Sequence, residues 1–158
     1  MREPNYWLVC TTNLDNIRTA YDRLVWGFPD ISTRWGEKYK RNWRYFVKMF
    51  NRILSGDVMV FQHIKGRSYL VHAIGVVKDR YYDDETPILS DEVKEGYVIF
   101  PWKVRLGLMI FSEEPIAKLA ILTQDYLTGY GIGRLRSTDI QAIVTNLEKI
   151  TGLKVRFT

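Results

Sequence analysis

The chain has 158 residues, with 23 Lys and Arg against 18 Asp and Glu, and a formal net charge of +5. A chain of this length can bury enough surface to fold as one domain without a metal or disulfide. The single cysteine, Cys10, excludes an intramolecular disulfide, and one cysteine with two histidines cannot fill the usual four-ligand zinc site. No apolar run reaches the length of a membrane span and the N-terminus lacks a secretory signal, so we expect a soluble, cytoplasmic protein.

The charge is distributed unevenly along the chain. Residues 34–52, the basic segment, hold seven bases and one acid, whereas residues 79–96, the acidic segment, hold seven acids and two bases. Aromatic residues make up 14% of the chain. Cations attract phosphate and flat rings stack on bases, so this combination indicates a nucleic-acid partner.

The first half of the chain predicts a strand, a helix, a loop and a second helix. Residues 6–12 (YWLVCTT) are β-branched and aromatic, and Thr12 and Asn13 can cap an amphipathic helix that ends at Gly27 and Pro29. A loop over 28–39 leads to the basic helix, 41–51. This helix has an apolar face and a basic stripe, which is either a solvated surface or a track for phosphates: Lys40, Arg44, Lys48 and Arg52.

The second half predicts mainly strands. A hairpin joins residues 58–64 to 68–77, the acidic segment forms a long excursion, and a strand over 97–106 contains Pro101, which favours an edge or a bulge. Short elements follow: a helix over 116–122, a glycine loop over 129–134, a helix from Thr138 to Lys149 with a Thr138–Gln141 capping box, and a strand over 154–157. The pattern predicts an α+β fold, a small mixed sheet or open barrel flanked by helices. The strand-like end suggests a domain, 1–158, cut from a longer protein.

Motifs for catalysis, metals and cofactors are weak. The glycines at 129, 131 and 133 lack the strand-to-helix context of a dinucleotide loop, and the zinc deaminase signature is missing. His63 and His72 can face each other on paired strands but have no carboxylate or thiol partners nearby. Asp83, Asp84 and Glu85 are typical of a solvated loop. We therefore expect a binding domain with no catalytic residue, cofactor or metal.

Several short motifs in order resemble the PUA-like superfamily, and within it the YTH and EVE domains that bind modified bases. The first strand is followed by Asn16 and, ten residues later, by Trp26 and Gly27, a spacing that resembles the YTH pattern. Residues 56–61, 73–77 and 82–86 are similar to an EVE hairpin and the segment after it. Ile132-Gly133-Arg134 resembles a YTH motif whose arginine contacts the nucleic-acid backbone.

The resemblance implies a role for individual residues. Trp26 would form one wall of an aromatic cage around N6-methyladenine; on the residues alone it could equally be a core tryptophan. Asn16 would contact the ring, Thr12 the base edge, and Gly27 the base through its backbone. The second wall has two candidates, Tyr97 and Phe100, with Trp35 third. Arg134 would contact the nucleic-acid backbone, and Arg136 could share that role. The charge pattern of the basic segment, not the resemblance, adds four further candidates for phosphate contacts: Lys40, Arg41, Arg44 and Lys48.

The resemblance also implies a biological setting. Prokaryotic EVE-like domains resemble specificity modules of McrB-type restriction systems, where the reader is fused to an AAA+ motor, so we expect a reader of methylated DNA from such a system. Two alternatives stay open: a PUA-like RNA-binding domain with or without modification preference, and a protein-interaction module that uses the acidic segment.

Overall fold

The computed structural model describes residues 3–118 and 130–156. Its strands are β1 (Tyr6–Thr11), β2 (Val25–Phe28), β3 (Val58–Lys65), β4 (Ser68–Tyr82), β5 (Trp102–Phe111), β6 (Ala117–Lys118) and β7 (Ile132–Arg134). Its α-helices are α1 (Leu14–Arg23), α2 (Arg34–Lys38), α3 (Trp43–Phe50), α4 (Ser90–Glu95) and α5 (Ser137–Thr151), and a 3₁₀ turn (Lys40–Asn42) precedes α3.

The strands form one mixed sheet in the order β2-β5-β4-β3-β1-β7, with β6 paired to β4. β1 and β3 run parallel and the other pairs run antiparallel. A parallel pair needs a long crossover, and here the crossover carries α1, β2, α2 and α3. The sheet is open between β2 and β7 and is flanked by helices, so the predicted α+β class is confirmed.

Two apolar cores lie on opposite faces of the sheet. Side chains alternate along β1, so Trp7 and Val9 enter the larger core, whereas Leu8 enters the smaller one. The larger core is rich in aromatic residues from β2, β3 and α3, and the smaller core packs against α5. Most of the buried aromatic rings therefore stabilise the fold by packing inside a core. A buried ring can contact a ligand only where it lies at the edge of the larger core.

The first departure from the predicted elements concerns Trp26. Asn13 caps α1 as expected, because its side-chain Oδ1 accepts a hydrogen bond from the Asp15 amide at 3.0 Å. The helix nevertheless ends at Arg23, and Leu24 takes a left-handed conformation (φ 55°) that turns the chain into β2. The prediction of a helix reaching to Gly27 was wrong, since Trp26 lies in a strand. The predicted loop after it contains α2.

The acidic segment also differs from the prediction. β4 continues past residue 77 to Tyr82, with register shifts that bend it along β5, so the acidic segment begins inside the sheet. The same segment contains α4. β5 begins at Trp102 and lies between β2 and β4. Pro101 therefore precedes the strand, and the predicted edge or bulge was wrong.

Three smaller predictions near the C-terminus also differ from the structure over the residues that it describes. α5 begins after Arg136, whose backbone amide lies 3.4 Å from the Asp139 carboxylate, so the Thr138–Gln141 capping box is not the cap used. The predicted helix over 116–122 is replaced at its start by β6, and its remainder lies outside the described residues, as does Gly129. Residues 154–156 form no strand, and Phe157 lies outside the described residues.

Candidate functional site

A cavity of about 900 Å³ opens beside the larger core. Its wall comes from the C-terminal end of β1, from β2, from the basic segment, from residues 89–100 and from Tyr130 and Gly131. Ligand sites in proteins usually occupy about 300–1,000 Å³ and are mainly apolar with a few polar groups. Its aromatic lining is extensive: Trp26, Phe28, Trp35, Tyr39, Tyr45, Phe100 and Tyr130.

Trp26 lies in the cavity wall and is held by the sheet. It pairs with Val104 across β2 and β5, and its ring meets Phe61 edge to face at a centroid distance of 5.3 Å. Only 4% of Trp26 is exposed. The side chain therefore belongs both to the core and to the cavity, and the two interpretations from the sequence do not exclude each other.

Gly27 and Phe100 approach each other so closely that no side chain fits between them. A Cβ atom on Gly27 would lie 2.7 Å from both Cβ and the carbonyl oxygen of Phe100, and 3.2 Å from Cδ of Lys103. Real Cβ atoms essentially never come within 3.0 Å of another group. The glycine therefore allows the segment with Phe100 to lie directly against β2 and to form one side of the cavity.

The carboxylate of Glu92 fixes this side of the cavity from within. Glu92 and Lys103 are fully buried, and Oε1 of Glu92 lies 2.6 Å from Nζ of Lys103. The same carboxylate accepts backbone hydrogen bonds at 2.9–3.2 Å from the amides of Ile88, Leu89, Ile99 and Phe100. One buried group thus joins α4 to the chain before β5, and both of those stretches line the cavity.

Burial also shifts the pKa of the lysine in this pair. Desolvation lowers the pKa of Lys103 below the ordinary lysine value, while its hydrogen bond to Glu92 opposes that shift. A buried ion pair stabilises a fold only when its remaining lone pairs are satisfied. Here four backbone amides complete the coordination of the carboxylate, so the pair is well suited to hold a rigid wall.

Asn16 is 2% exposed and is engaged by the protein itself. Its Nδ2 donates to Oγ1 of Thr11 at 3.2 Å and to Oδ2 of Asp91 at 2.9 Å, and its Oδ1 accepts from the Asp91 amide at 3.0 Å. Both amide hydrogens are used. Asn16 lines the cavity, but the group that it supports there, the carboxylate of Asp91, is better placed to accept from a ligand.

The basic segment forms the rim of the cavity. All seven of its bases are exposed. Arg41 lines the cavity, and so do Trp35 and Tyr45, which are 50% and 57% exposed. Trp35 and Tyr39 are neighbours at a centroid distance of 4.9 Å, and the Lys38 ammonium lies within 5.5 Å of both ring centres. Positive charge and exposed rings are therefore interleaved at one opening.

The structure brings only part of the predicted site together. Thr12, Asn16, Trp26, Gly27, Phe100 and Arg41 line the cavity. Tyr97 does not, and is 60% exposed outside it. Lys40, Arg44 and Lys48 are exposed and belong to the same segment as Arg41, but they do not line the cavity.

The two arginines from the C-terminal part of the chain lie elsewhere. The Arg134 guanidinium donates to Oδ1 of Asn5 at 2.8 Å and lies over the ring of Trp7, toward the start of β1. Arg136 contacts Asp139 at the start of α5. The cavity uses the opposite end of β1, from Cys10 onward.

Sequence reasoning missed Tyr39, Tyr45 and Asp91. Tyr45 carried a signal, because it falls outside the apolar spacing of α3 and stands between bases of the stripe. Asp91 had none, since its place depends on Asn13 and Asn16, which are far away in the sequence. Asp91 belongs to a segment whose composition is typical of a solvated loop.

The remaining reactive groups do not form a second site among the described residues. His63 and His72 face each other at a ring distance of 6.0 Å, and Nδ1 of His72 lies 3.0 Å from the carbonyl oxygen of Ser112. Within residues 3–118 and 130–156, no group of three or more His, Cys, Asp or Glu is arranged to hold a metal ion. Burial raises the pKa of Cys10 to about 12, so its thiol is protonated at neutral pH.

Among the described helices, none is both long and apolar enough to cross a bilayer.

Solved structures with a similar chain path have low similarity scores. A hypothetical protein from Leishmania major matches with a TM-score of 0.47 at 12% identity, over 94% of this chain and 98% of that one. The YTH domain-containing protein mmi1, in a complex with RNA, matches at 0.47 and 14% identity, over 96% and 88%. The YTH domain of Zygosaccharomyces rouxii MRB1, in complex with N6-methyladenosine RNA, matches at 0.44 and 10% identity, over 98% and 88%. Likenesses at this level carry no argument about function.

Sequence comparison gives a much stronger match. No family model matches the chain. A curated protein of Methanocaldococcus jannaschii, described as uncharacterized protein MJ1369, is 43% identical over 148 residues, which cover 94% of this chain and 93% of that protein. Such identity over nearly the full length of both proteins leaves one conclusion: the chain belongs to the same family as MJ1369.

Proposed function

We propose that the cavity binds one extruded, methylated base of a nucleic acid, N6-methyladenine, and that the domain binds it without catalysing a reaction. The observation that carries this proposal is the junction of an aromatic cavity with an exposed basic rim. Trp26 and Phe100 supply rings in the wall, Arg41 supplies a cation at the opening, and Trp35 and Tyr45 supply exposed rings beside it.

The energetics of this arrangement are favourable. Extruding a base costs a few kcal/mol, and stacking returns about 1–3 kcal/mol for each base on an aromatic side chain. A fully dehydrated methyl group adds about 0.8 kcal/mol. The methyl group alone therefore gives modest discrimination, and strong preference requires a wall too rigid to close around plain adenine. The buried Glu92–Lys103 pair, with four backbone hydrogen bonds, supports such rigidity.

The predicted residues take distinct roles in this proposal. Trp26 and Phe100 are the walls, Gly27 contacts the base through its own backbone, and Thr12 lies at the base edge. Asn16 acts by orienting Asp91. Phosphates are held by Arg41 and, outside the cavity, by exposed lysines and arginines: Lys40, Arg44, Lys48, Arg134 and Arg136.

Two settings suit this site. The first is methylated DNA, with the domain as the specificity module of a modification-dependent restriction system that includes an AAA+ motor. The second is a modified RNA. The exposed rings of Trp35 and Tyr45 favour a single strand over duplex DNA, because nucleobases stack on such rings only when they are not stacked in a duplex.

The test is a fluorescence-anisotropy panel of single-stranded DNA, duplex DNA and RNA, each with adenine or N6-methyladenine at one position, at two salt concentrations. Trp26→Ala should lose the preference for N6-methyladenine and keep salt-dependent background binding. Trp35→Ala should weaken binding of all single strands. The strand type that binds tightest distinguishes the two settings.

Tyr97→Ala is the matched control, because Tyr97 is about as exposed as Trp35 but lies outside the cavity. It should bind like the wild type. Equal loss of modified and plain binding in a folded Trp26→Ala protein would contradict the cage. An affinity that is the same for methylated and plain oligonucleotides would indicate a generic RNA-binding domain. An affinity that is the same at both salt concentrations would exclude a phosphate-contacting surface.

A further inference from the structure

Asp91 is the one acidic residue among the described residues that line the cavity, whose wall is rich in aromatic rings. It lines the cavity from α4, and the basic residue among the described lining residues is Arg41. Among the described residues, no Lys, Arg or His forms an ion pair with Asp91. A partly buried carboxylate without a cationic partner needs hydrogen-bond donors for both of its oxygens. The described residues provide one donor for each oxygen.

Two asparagines hold the carboxylate in a fixed orientation. Nδ2 of Asn13 donates to Oδ1 at 2.7 Å, and Nδ2 of Asn16 donates to Oδ2 at 2.9 Å. The Asp91 amide in turn donates to Oδ1 of Asn16 at 3.0 Å. An ionised carboxylate has about four lone-pair directions, so within residues 3–118 and 130–156 each oxygen keeps one direction that no donor uses.

The chemistry of this group restricts the ligand. An ionised carboxylate only accepts hydrogen bonds, so it attracts an N–H group and repels a phosphate or a bare carbonyl. Adenine and N6-methyladenine both keep an exocyclic N–H, whereas N6,N6-dimethyladenine and unsubstituted purine have none. The charge also opposes entry of the phosphate backbone, so the base enters the cavity while the phosphates stay at the basic rim.

The geometry points to Asp91 as the residue that selects the base, by accepting a hydrogen bond from an exocyclic N–H of the extruded base. This inference rests on the proposed function for the cavity itself. It adds a selection on the amine that is separate from the selection on the methyl group. Asn13 and Asn16 are positioning residues in this scheme, because they act through Asp91.

The experiment uses the 158-residue chain and labelled single-stranded oligonucleotides with one variable central base: adenine, N6-methyladenine, N6,N6-dimethyladenine or purine. Two affinity ratios are measured: adenine over purine, and N6-methyladenine over N6,N6-dimethyladenine. Both should be about tenfold or more for the wild type, since hydrogen bonds to charged groups contribute at the upper end of the usual range. Asp91→Asn should reduce both ratios to within about threefold.

Two further variants separate selection from general effects. Asp84→Asn makes the same charge change at an exposed position of the acidic segment outside the cavity, and it should leave both ratios unchanged. Asn13→Ser keeps a capping oxygen for α1 but removes the donor to Asp91. It should lower both ratios partway while the protein keeps its thermal unfolding midpoint to within a few degrees.

The outcomes distinguish this inference from the proposed function. If N6-methyladenine and adenine bind alike while Asp91 still controls the adenine-to-purine ratio, the N–H selection holds and the methylated-base function fails. If methylation is preferred but Asp91→Asn leaves both amine ratios unchanged, or weakens all four oligonucleotides equally, the inference is overturned and the methylated-base function holds. Binding of none of the four would overturn both.

Discussion

The basic and acidic segments carry seven charges each of their dominant sign, but the fold uses them in opposite ways. Every base of residues 34–52 is exposed. In residues 79–96, Glu92 is fully buried and Asp91 faces the cavity. The basic segment therefore supplies a surface that can attract phosphate, whereas the acidic segment supplies a wall and a polar group inside it. Charge density alone does not indicate which segment is solvated.

The difference follows from the partners that each segment meets. Glu92 is buried because Lys103 and four backbone amides satisfy it, and Asp91 is held because Asn13 and Asn16 donate to it. The basic stripe meets no comparable acceptors among the described residues: Lys40 pairs with Glu37 at 3.1 Å, with both side chains exposed. Stability should therefore depend on the acidic segment, and salt-dependent binding on the basic one.

The largest effect is expected for Glu92→Ala. It leaves Lys103 as a buried charge without its partner and removes the acceptor for four amides, so unfolding should become easier by about 3–5 kcal/mol. Urea denaturation followed by circular dichroism measures this change. Glu95→Ala, an exposed acid of the same helix, should stay within about 0.5 kcal/mol. A small effect of Glu92→Ala would mean that the wall is not organised by this carboxylate.

Gly27→Ala tests the contact between β2 and the wall. The added Cβ would lie 2.7 Å from Phe100 atoms, one of them a backbone oxygen, so the segment must shift at a cost of about 1–3 kcal/mol. Urea denaturation measures the loss of stability, and the affinity of the variant for the modified base should fall as well. Gly107→Ala is the matched control, since its nearest neighbour lies at 3.8 Å; a loss there as large as at Gly27 would contradict the steric explanation.

The smallest change in stability is expected for Lys40→Ala with Arg44→Ala, within about 0.5 kcal/mol, because exposed ion pairs contribute little. Binding should nevertheless weaken for all sequences alike, and the salt dependence of log K should flatten by about one for each phosphate that is no longer neutralised. Lys149→Ala with Lys154→Ala removes the same charge from the exposed C-terminal region. An equal effect of that pair would show that only net charge matters.

Much of the fold could be predicted because it rests on local patterns. The first strand, the cap at Asn13, the β3–β4 hairpin and the basic helix all follow from neighbouring residues. The four-residue strand with Trp26 could not, since it depends on a left-handed Leu24 and on pairing with a strand nearly eighty residues later. Tyr97 and Phe100 were both candidates for the second cage wall, at the start of the strand predicted after the acidic segment, but only Phe100, whose amide donates to Glu92, lines the cavity.

The sequence by itself determined the α+β class and the concentration of positive charge in one segment, because composition and periodicity are properties of the local chain. Trp26, Gly27 and Phe100 became candidate site residues through the resemblance to YTH domains. Only the tertiary structure decided that an acidic segment forms one wall of the cavity and that Asn16 supports Asp91. Burial of a charge depends on partners brought from elsewhere in the chain, and no local pattern records those partners.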